Sequence, residues 1–277
     1  MKNSKLLLIF LGVALLGLSS CRKDDGFTDN CGGKAPGGAV GLLMSISQDA
    51  QMGLSSVAQI EADPTNFPVL DSTKYPVAYG HIYRIRDNIL NSGKVYYKNE
   101  FPWRIRIIKD DKTLNAFCTP GGYIYVYTGI IKFLDNETQL AGVLGHEIAH
   151  ADRRHSANQM LQQYGVDMLI QILSGGNPSM LAQLGAQLLA LKFSRSDETE
   201  ADDYSVRYLL NTEYDAQGAK YFFQKISGSS QVPEFLSTHP NPDNRVSNIE
   251  ETWKCLGSGG NSGLFVERYN QFKSSLP

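Results

Sequence analysis

The chain of 277 residues contains no apolar run long enough to cross a bilayer comfortably. Leu6 to Leu18 reaches thirteen residues, where a spanning helix needs about 20. There is also no bias of charge. Lys and Arg number 26 against 28 Asp and Glu, the net charge is −2, and no long basic or acidic run occurs. That balance argues against a nucleic-acid-binding surface. Internal repeats are absent, which excludes a solenoid. Cysteine and histidine are scarce, at four and five residues. What remains is a chain 42% apolar, ordinary for a globular protein and long enough for one large domain or two small ones.

The scarce residues are unevenly placed. Lys2 and Lys5 precede the apolar stretch, and Leu18-Ser19-Ser20-Cys21 closes it. Positive residues, a short apolar core and small residues before a Cys resemble a bacterial lipoprotein signal. The resemblance implies cleavage after residue 20, lipidation of Cys21 and a location outside the cytoplasm. Residues 21–40 are rich in Gly, Asp and Lys and read as a flexible tether. In an oxidising compartment Cys31, Cys118 and Cys255 leave at least one thiol unpaired. Cys31 and Cys255 flank the fold and are placed to staple its ends; Cys118 sits in an apolar strand and reads as a buried thiol.

Helical periodicity runs over 42–60 and 79–90, and Asp63-Pro64 breaks the first. Trp103 to Ile108 alternates apolar residues with Arg, Asn115 to Cys118 is a short extended piece, and Tyr123 to Tyr127 is a strong strand after the Pro120-Gly121-Gly122 turn. A long helix is expected from the cap at Asp135 or Asn136 to about Tyr164, then a helical hairpin over 166–193 that is too short and polar to span a membrane. Helices over 197–211 and 216–227 and a final short helix complete an α+β, mainly α-helical fold with one small antiparallel sheet.

The long helix carries His146-Glu147-Ile148-Ala149-His150. Positions i and i+4 share a helix face, so both imidazoles can meet one metal while Glu147 holds a water against it. The spacing points to a zinc-dependent peptide hydrolase with one Zn2+ per chain. A catalytic zinc needs a third protein ligand. A His six residues after the second is excluded, because that position is Ser156, the position needing Gly is Arg153, and His155 misses by one. The acidic run from Asp197 to Asp203 offers instead Glu198 as ligand, with Asp202 one turn on to hydrogen-bond the far nitrogen of a ligand His. Glu200 points roughly to the opposite face and is left out of the ligand set. His155 is read as packing the end of the catalytic helix and His81 as structural.

With those motifs in view the chain resembles the HtpX/CAAX-prenyl-protease family of zinc metallopeptidases, which are gluzincins, and most of all its soluble periplasmic lipoprotein branch. Asn115 to Gly122, His146 to Ser156, Ser194 to Asp202 and Thr238-His239-Pro240 through Arg245 occur in family order. The departure is the pair of transmembrane helices, replaced by the hairpin 166–193, which sets aside membrane-embedded cleavage of prenylated substrates. The resemblance implies a zincin-like fold with its sheet beside the active-site helix. It places His239 over the cleft, as an oxyanion donor or as a fourth zinc ligand that keeps the enzyme latent, and sets Arg245 against a carboxylate nearby. It makes Asn115, Ala116, Phe117 and Cys118 a substrate-binding edge strand. Glu147 is then the general base. The expected division is a signal at 1–20, the tether at 21–40, a peptidase domain at 41–256 and a tail at 257–277. Expected partners are protein or peptide substrates and, through the lipid, a membrane; no nucleic acid is expected. The expected setting is the bacterial cell envelope, lipid-anchored on the outer membrane's periplasmic side or at the cell surface. The expected task is hydrolysis of unfolded or damaged envelope proteins, the alternative a latent, chaperone-like zinc protein.

Overall fold

The computed structural model describes residues 29–36, 38–175, 177–227, 234–240 and 244–277. The signal at 1–20, Cys21 and part of the tether lie outside the described residues. Helices α1 (Gly38–Leu43), α2 (Ile46–Ala62) and α3 (Pro76–Leu90) lead into strands β1 (Arg104–Ile108), β2 (Ala116–Thr119) and β3 (Tyr123–Tyr127). Helices α4 (Thr128–Phe133), α5 (Glu137–Asp152), α6 (His155–Tyr164), α7 (Val166–Gly175) and α8 (Pro178–Leu189) follow. Then come α9 (Arg195–Leu209), α10 (Gly218–Ser227), the single turn α11 (Phe235–Thr238), α12 (Arg245–Cys255) and α13 (Val266–Ser274). The fold is α+β and mainly helical, as the residue pattern indicated.

Local signals start these helices. Ser45 and Gln48 form a reciprocal capping box at α2, as do Ser194 and Asp197 at α9. The Asn136 side chain accepts from Gln139 N at the start of α5.

The sheet corrects one expectation. Its order is β1-β3-β2, with β1 parallel and β2 antiparallel to β3, so it is mixed rather than antiparallel. The reason lies in β3. All five of its residues are buried, which suits a central strand covered on both faces, and the chain inserts it between the two earlier strands. The tight return from β2 uses Gly121 and Gly122 at φ +79° and +76°; a Cβ on Gly121 would come within 2.6 Å of Ala50 Cα.

A second correction concerns the long helix, expected to reach about Tyr164. It ends at Asp152, and α6 begins at His155. Arg154 between them has φ +62° and ψ +32°, a left-handed conformation that costs an L-residue about 1–2 kcal/mol. Its guanidinium is buried, forks onto Asp49 at 2.7 and 2.8 Å and donates to the Met44 carbonyl. That anchorage holds the bend, which the unbroken apolar periodicity concealed.

Every residue of α5 is buried. The main core packs α3, one sheet face, α9, α10 and α13 around it. Gly142 makes close approach possible: a Cβ there would meet Ala219 N at 2.1 Å. Helices α1, α2, α6, α7 and α8 share a smaller core. Among the described residues no helix is long and apolar enough to cross a membrane. Within 257–277, α13 sends Tyr269 and Phe272 into the main core. A disulfide joins Cys31 to Cys255, and Cys118 is free and buried. Residues 29–36 lie as a strap along α9: Arg207 donates to Asp29 and to the Cys31 carbonyl, Tyr204 Oη to the Lys34 carbonyl, and Arg153 to the same carbonyl at 2.8 Å.

Candidate metal centre

The last two turns of α5 project His146 and His150 toward α9, whose first two turns project Glu198 and Asp202 back. His239 enters from the C-terminal end of α11. Ligand atoms of His146, His150, Glu198 and His239 lie within 4.8 Å of one another, and all four residues are buried. His150 Nε2 is 3.0 Å from His146 Nε2 and 3.4 Å from Glu198 Oε1. His239 Nδ1 is 3.0 Å from Glu198 Oε1 and 3.3 Å from His146 Nε2. Apolar rings fix these imidazoles. Phe193 stacks on His150 at 3.8 Å between centroids and Phe235 on His239 at 4.3 Å.

Asp202 Oδ1 is 2.9 Å from His146 Nδ1. Accepting a proton there leaves the His146 Nε2 lone pair facing the cluster. Arg245 donates Nε and Nη2 to Asp202 at 2.6 and 2.5 Å, and its Nη1 lies 3.0 Å from Glu198 Oε2. The charge field follows. Burial disfavours an ionised Asp202, but Arg245 and the His146 hydrogen bond outweigh it and hold the carboxyl low. Burial likewise opposes ionisation of Glu198, yet His239, His146 and His150 pull its pKa far below the usual range. For His146 burial works against a charge, while hydrogen bonds to Asp202 and Glu198 raise its pKa to about 9. Burial and the neighbouring His146 drive His150 well down, leaving it neutral. The cluster thus attracts one positive charge among several lone pairs.

A dication fits that description better than a proton. Among the described residues neither oxygen of Glu147 makes a hydrogen bond, nor does His239 Nε2, although all are buried. Polar atoms so placed cost about 1–3 kcal/mol each when left without a partner. Three imidazoles and one carboxylate form a borderline donor set suited to zinc. One Zn2+ fits this site.

Glu147 lies beside the cluster, its Oε1 3.5 Å from His239 Nε2. Burial raises its pKa, partly offset by the charges of His239 and His146. Burial and the neighbouring Glu147 raise the Cys118 thiol well above its usual range, so it stays a thiol.

Among the described residues β2 pairs with β3 alone, whereas β1 is partly covered on its outer side by the Val69–Ile108 bridge. Along β2 runs a cavity of about 200 Å3 lined by Asn115, Phe117, Cys118, Leu189, Phe193 and His239, among others. The buried Asn115 Oδ1 there has no hydrogen-bond partner among the described residues. Ala116 is fully buried and does not line it.

Residue spacing alone did not place Glu200 or His155 at this centre. Glu200 Oε2 lies 3.1 Å from His155 Nε2, and His155 Nδ1 lies 2.9 Å from His150 Nδ1. The available signal was the second acid two residues after Glu198, angled to the far side of the ligand helix. Phe193 and Phe235 carried no signal beyond being apolar.

A sequence model of peptidase family M48 matches residues 82–253, which include the whole cluster. The chain is 30% identical over 230 residues to the beta-barrel assembly-enhancing protease of Yersinia pestis, covering 76% of this chain and 45% of that protein. To the protein of the same name in Escherichia coli strain K12 it is 29% identical over 231 residues, with 76% and 45% covered. To the mitochondrial metalloendopeptidase OMA1 of Schizosaccharomyces pombe it is 33% identical over 161 residues, with 55% and 47% covered. The chain spans about half the length of the curated relatives it matches.

Proposed function

The chain belongs to peptidase family M48, a family of zinc metallopeptidases, and from that premise we propose that it is a metalloendopeptidase of the bacterial cell envelope that hydrolyses unfolded or damaged envelope proteins. One observation carries the reading: two buried oxygens of Glu147, without a hydrogen bond among the described residues, stand beside the converging His146, His150 and Glu198. The first two relatives, by name, enhance β-barrel assembly, and that supports an envelope setting. We read the chain as belonging to the soluble lipoprotein branch of the HtpX/CAAX-prenyl-protease group, with a leader at 1–20, lipidated Cys21, a tether at 21–40 whose residues 29–36 are strapped along α9, a peptidase unit over 41–256 and a terminal segment at 257–277. The lipid holds it at the outer membrane, on the periplasmic side or at the cell surface.

His146, His150 and Glu198 hold the zinc, and Asp202, clamped by Arg245, orients His146. Zinc in that site supplies Lewis acidity, polarising a carbonyl and acidifying a water. Glu147 takes the proton from the attacking water and delivers it to the leaving amine. Its raised pKa brings it nearer to that proton's needs. His239 donates to the carbonyl oxygen as negative charge develops there. The substrate lies extended along residues 115–118 and adds a strand to the free edge of β2. Backbone pairing of this kind tolerates many sequences.

The position of His239 supports a second reading. With Nδ1 3.0 Å from Glu198 and 3.3 Å from His146, it can serve as fourth ligand and close the site, making the protein a latent, chaperone-like zinc protein. Digestion of an unfolded protein by wild type, Glu147→Gln and His239→Ala separates the two. Activity in wild type that Glu147→Gln abolishes supports the peptidase. Activity appearing only in His239→Ala supports latency, and wild-type activity that Glu147→Gln retains in full would sink the enzyme.

A further inference from the structure

His146 and His150 stand one turn apart on α5, yet their outer nitrogens are treated differently. His146 Nδ1 faces a carboxylate directly. His150 Nδ1 faces another imidazole nitrogen, His155 Nδ1, at 2.9 Å. Two ring nitrogens at that distance share one proton: two lone pairs repel, and two N–H groups clash. Which ring holds it is decided further out. His155 Nε2 is 3.1 Å from Glu200 Oε2, and Glu200 is kept anionic by Arg153, whose Nε lies 2.9 Å from Oε1. An anionic carboxylate only accepts, so His155 carries its proton on Nε2. Its Nδ1 is then a lone pair that accepts from His150 Nδ1–H. The His150 Nε2 lone pair is left pointing into the cluster.

We propose that Glu200 and His155 are positioning residues that lock His150 in its Nδ1–H tautomer and aim its Nε2 at the metal, an inference that rests on the zinc site described above. Helix α9 thereby orients both α5 ligands, Asp202 holding His146 directly and Glu200 holding His150 through His155. The left-handed Arg154 is what makes the second arrangement possible. A continuous helix would place residue 155 well over one turn beyond residue 150 and rotated from it, whereas the bend folds the His155 ring back to 5.0 Å from that of His150. His155 is only 2% exposed, so water does not substitute readily for either partner.

The test is zinc affinity, measured on the intact folded chain by competition with a chromophoric chelator, with zinc alone as probe. His155→Ala is expected to weaken zinc binding by about 10–100-fold, the usual effect of losing a partner that orients a ligand. His155→Asn, whose amide oxygen can accept from His150 Nδ1–H, should recover most of that loss. Glu200→Gln should fall between the two. Nitrogen-15 correlation spectra of the zinc-loaded wild type should show His150 protonated at Nδ1. A residue that merely packs would lower the thermal midpoint of the metal-free protein equally in His155→Ala and His155→Asn and leave zinc affinity unchanged. Wild type that binds zinc while all three variants bind as tightly overturns the relay and spares the metal site. Wild type that takes up no zinc overturns both. Should His155→Ala not fold, unchanged affinity in Glu200→Gln with His150 protonated at Nε2 overturns the relay on its own.

Discussion

Helix α5 carries two fully buried glutamates, one near each end, and they are opposites. Glu137 accepts from Arg84 at 2.6 Å, from Arg268 at 2.6 and 3.0 Å and from Tyr214 at 2.7 Å. Glu147, ten residues on, makes no hydrogen bond at either oxygen among the described residues. Burial is the same; satisfaction is not. A carboxylate with its acceptor capacity filled ties α3, α13 and the loop before α10 to the start of α5. A carboxylate left open in a protein interior is costly to keep, and it stands where a metal and a water would meet it. The unfilled group, rather than the buried one, marks the chemistry.

The contrast can be broken most sharply at Glu147. Glu147→Gln should cut peptide hydrolysis by about 10²–10⁴-fold while zinc content and thermal midpoint stay at wild-type levels or rise; retained activity would erase the distinction. At the other end, Glu137→Gln should destabilise the fold by about 2–3 kcal/mol, below the full cost of breaking a buried pair because Arg84 and Arg268 are about 30% exposed. Zinc content should not change, and denaturant unfolding beside a zinc assay reads both.

Removing the metal sharpens the comparison from the solvent side. Chelation should lower the thermal midpoint, since a ligand held at a thousand times its dissociation constant contributes about 4 kcal/mol. Hydrogen exchange should then quicken at the end of α5 and the start of α9, with amides near Glu137 unmoved. Equal loosening at both ends would mean that the two glutamates belong to one cooperative unit.

The smallest effect concerns acid. Burial pushes the Glu200 carboxyl up, but His155 and Arg153 outweigh it and bring its pKa to about 2. Its unfolded value is about 4.3, so the folded state holds the proton less tightly. The resulting stability is fully present above about pH 4.3 and is lost as pH falls toward 2. In metal-free protein, Glu200→Gln should remove that part of the acid loss, which pH-dependent unfolding of the two chains would show.

How much was legible in the residues divides along the same helix. His146 and His150 are readable because i and i+4 is a local periodicity, and Glu198 with Asp202 repeats it on α9. The Cys31–Cys255 disulfide was inferred from the positions of the two residues at the margins of the fold. Glu137 carries only the local signal of an acid in a helix's first turn, since its partners Arg84, Tyr214 and Arg268 lie 53, 77 and 131 positions away. The break at Arg154 hid because no Gly or Pro marks it; a distant Asp49 stabilises the bend. The mixed sheet hid for a related reason: strand order is a long-range choice, and β3 takes the centre by burial. Glu200 and His155 needed the bend before they could meet.

Cys31 and Cys255 have a mechanical consequence. A pull arriving from upstream of the strap meets the Asp29–Arg207 ion pair first and, from Cys31, passes through a covalent bond to Cys255, the last residue of α12. The load bypasses the hydrogen bonds from Tyr204 and Arg153 to the Lys34 carbonyl. Those contacts stay slack, and Arg153 keeps its grip on Glu200. The chain can therefore be tugged at its leading end without detuning the centre, and reduction of that one bond would shift the strain onto the residues that hold Glu200 in place.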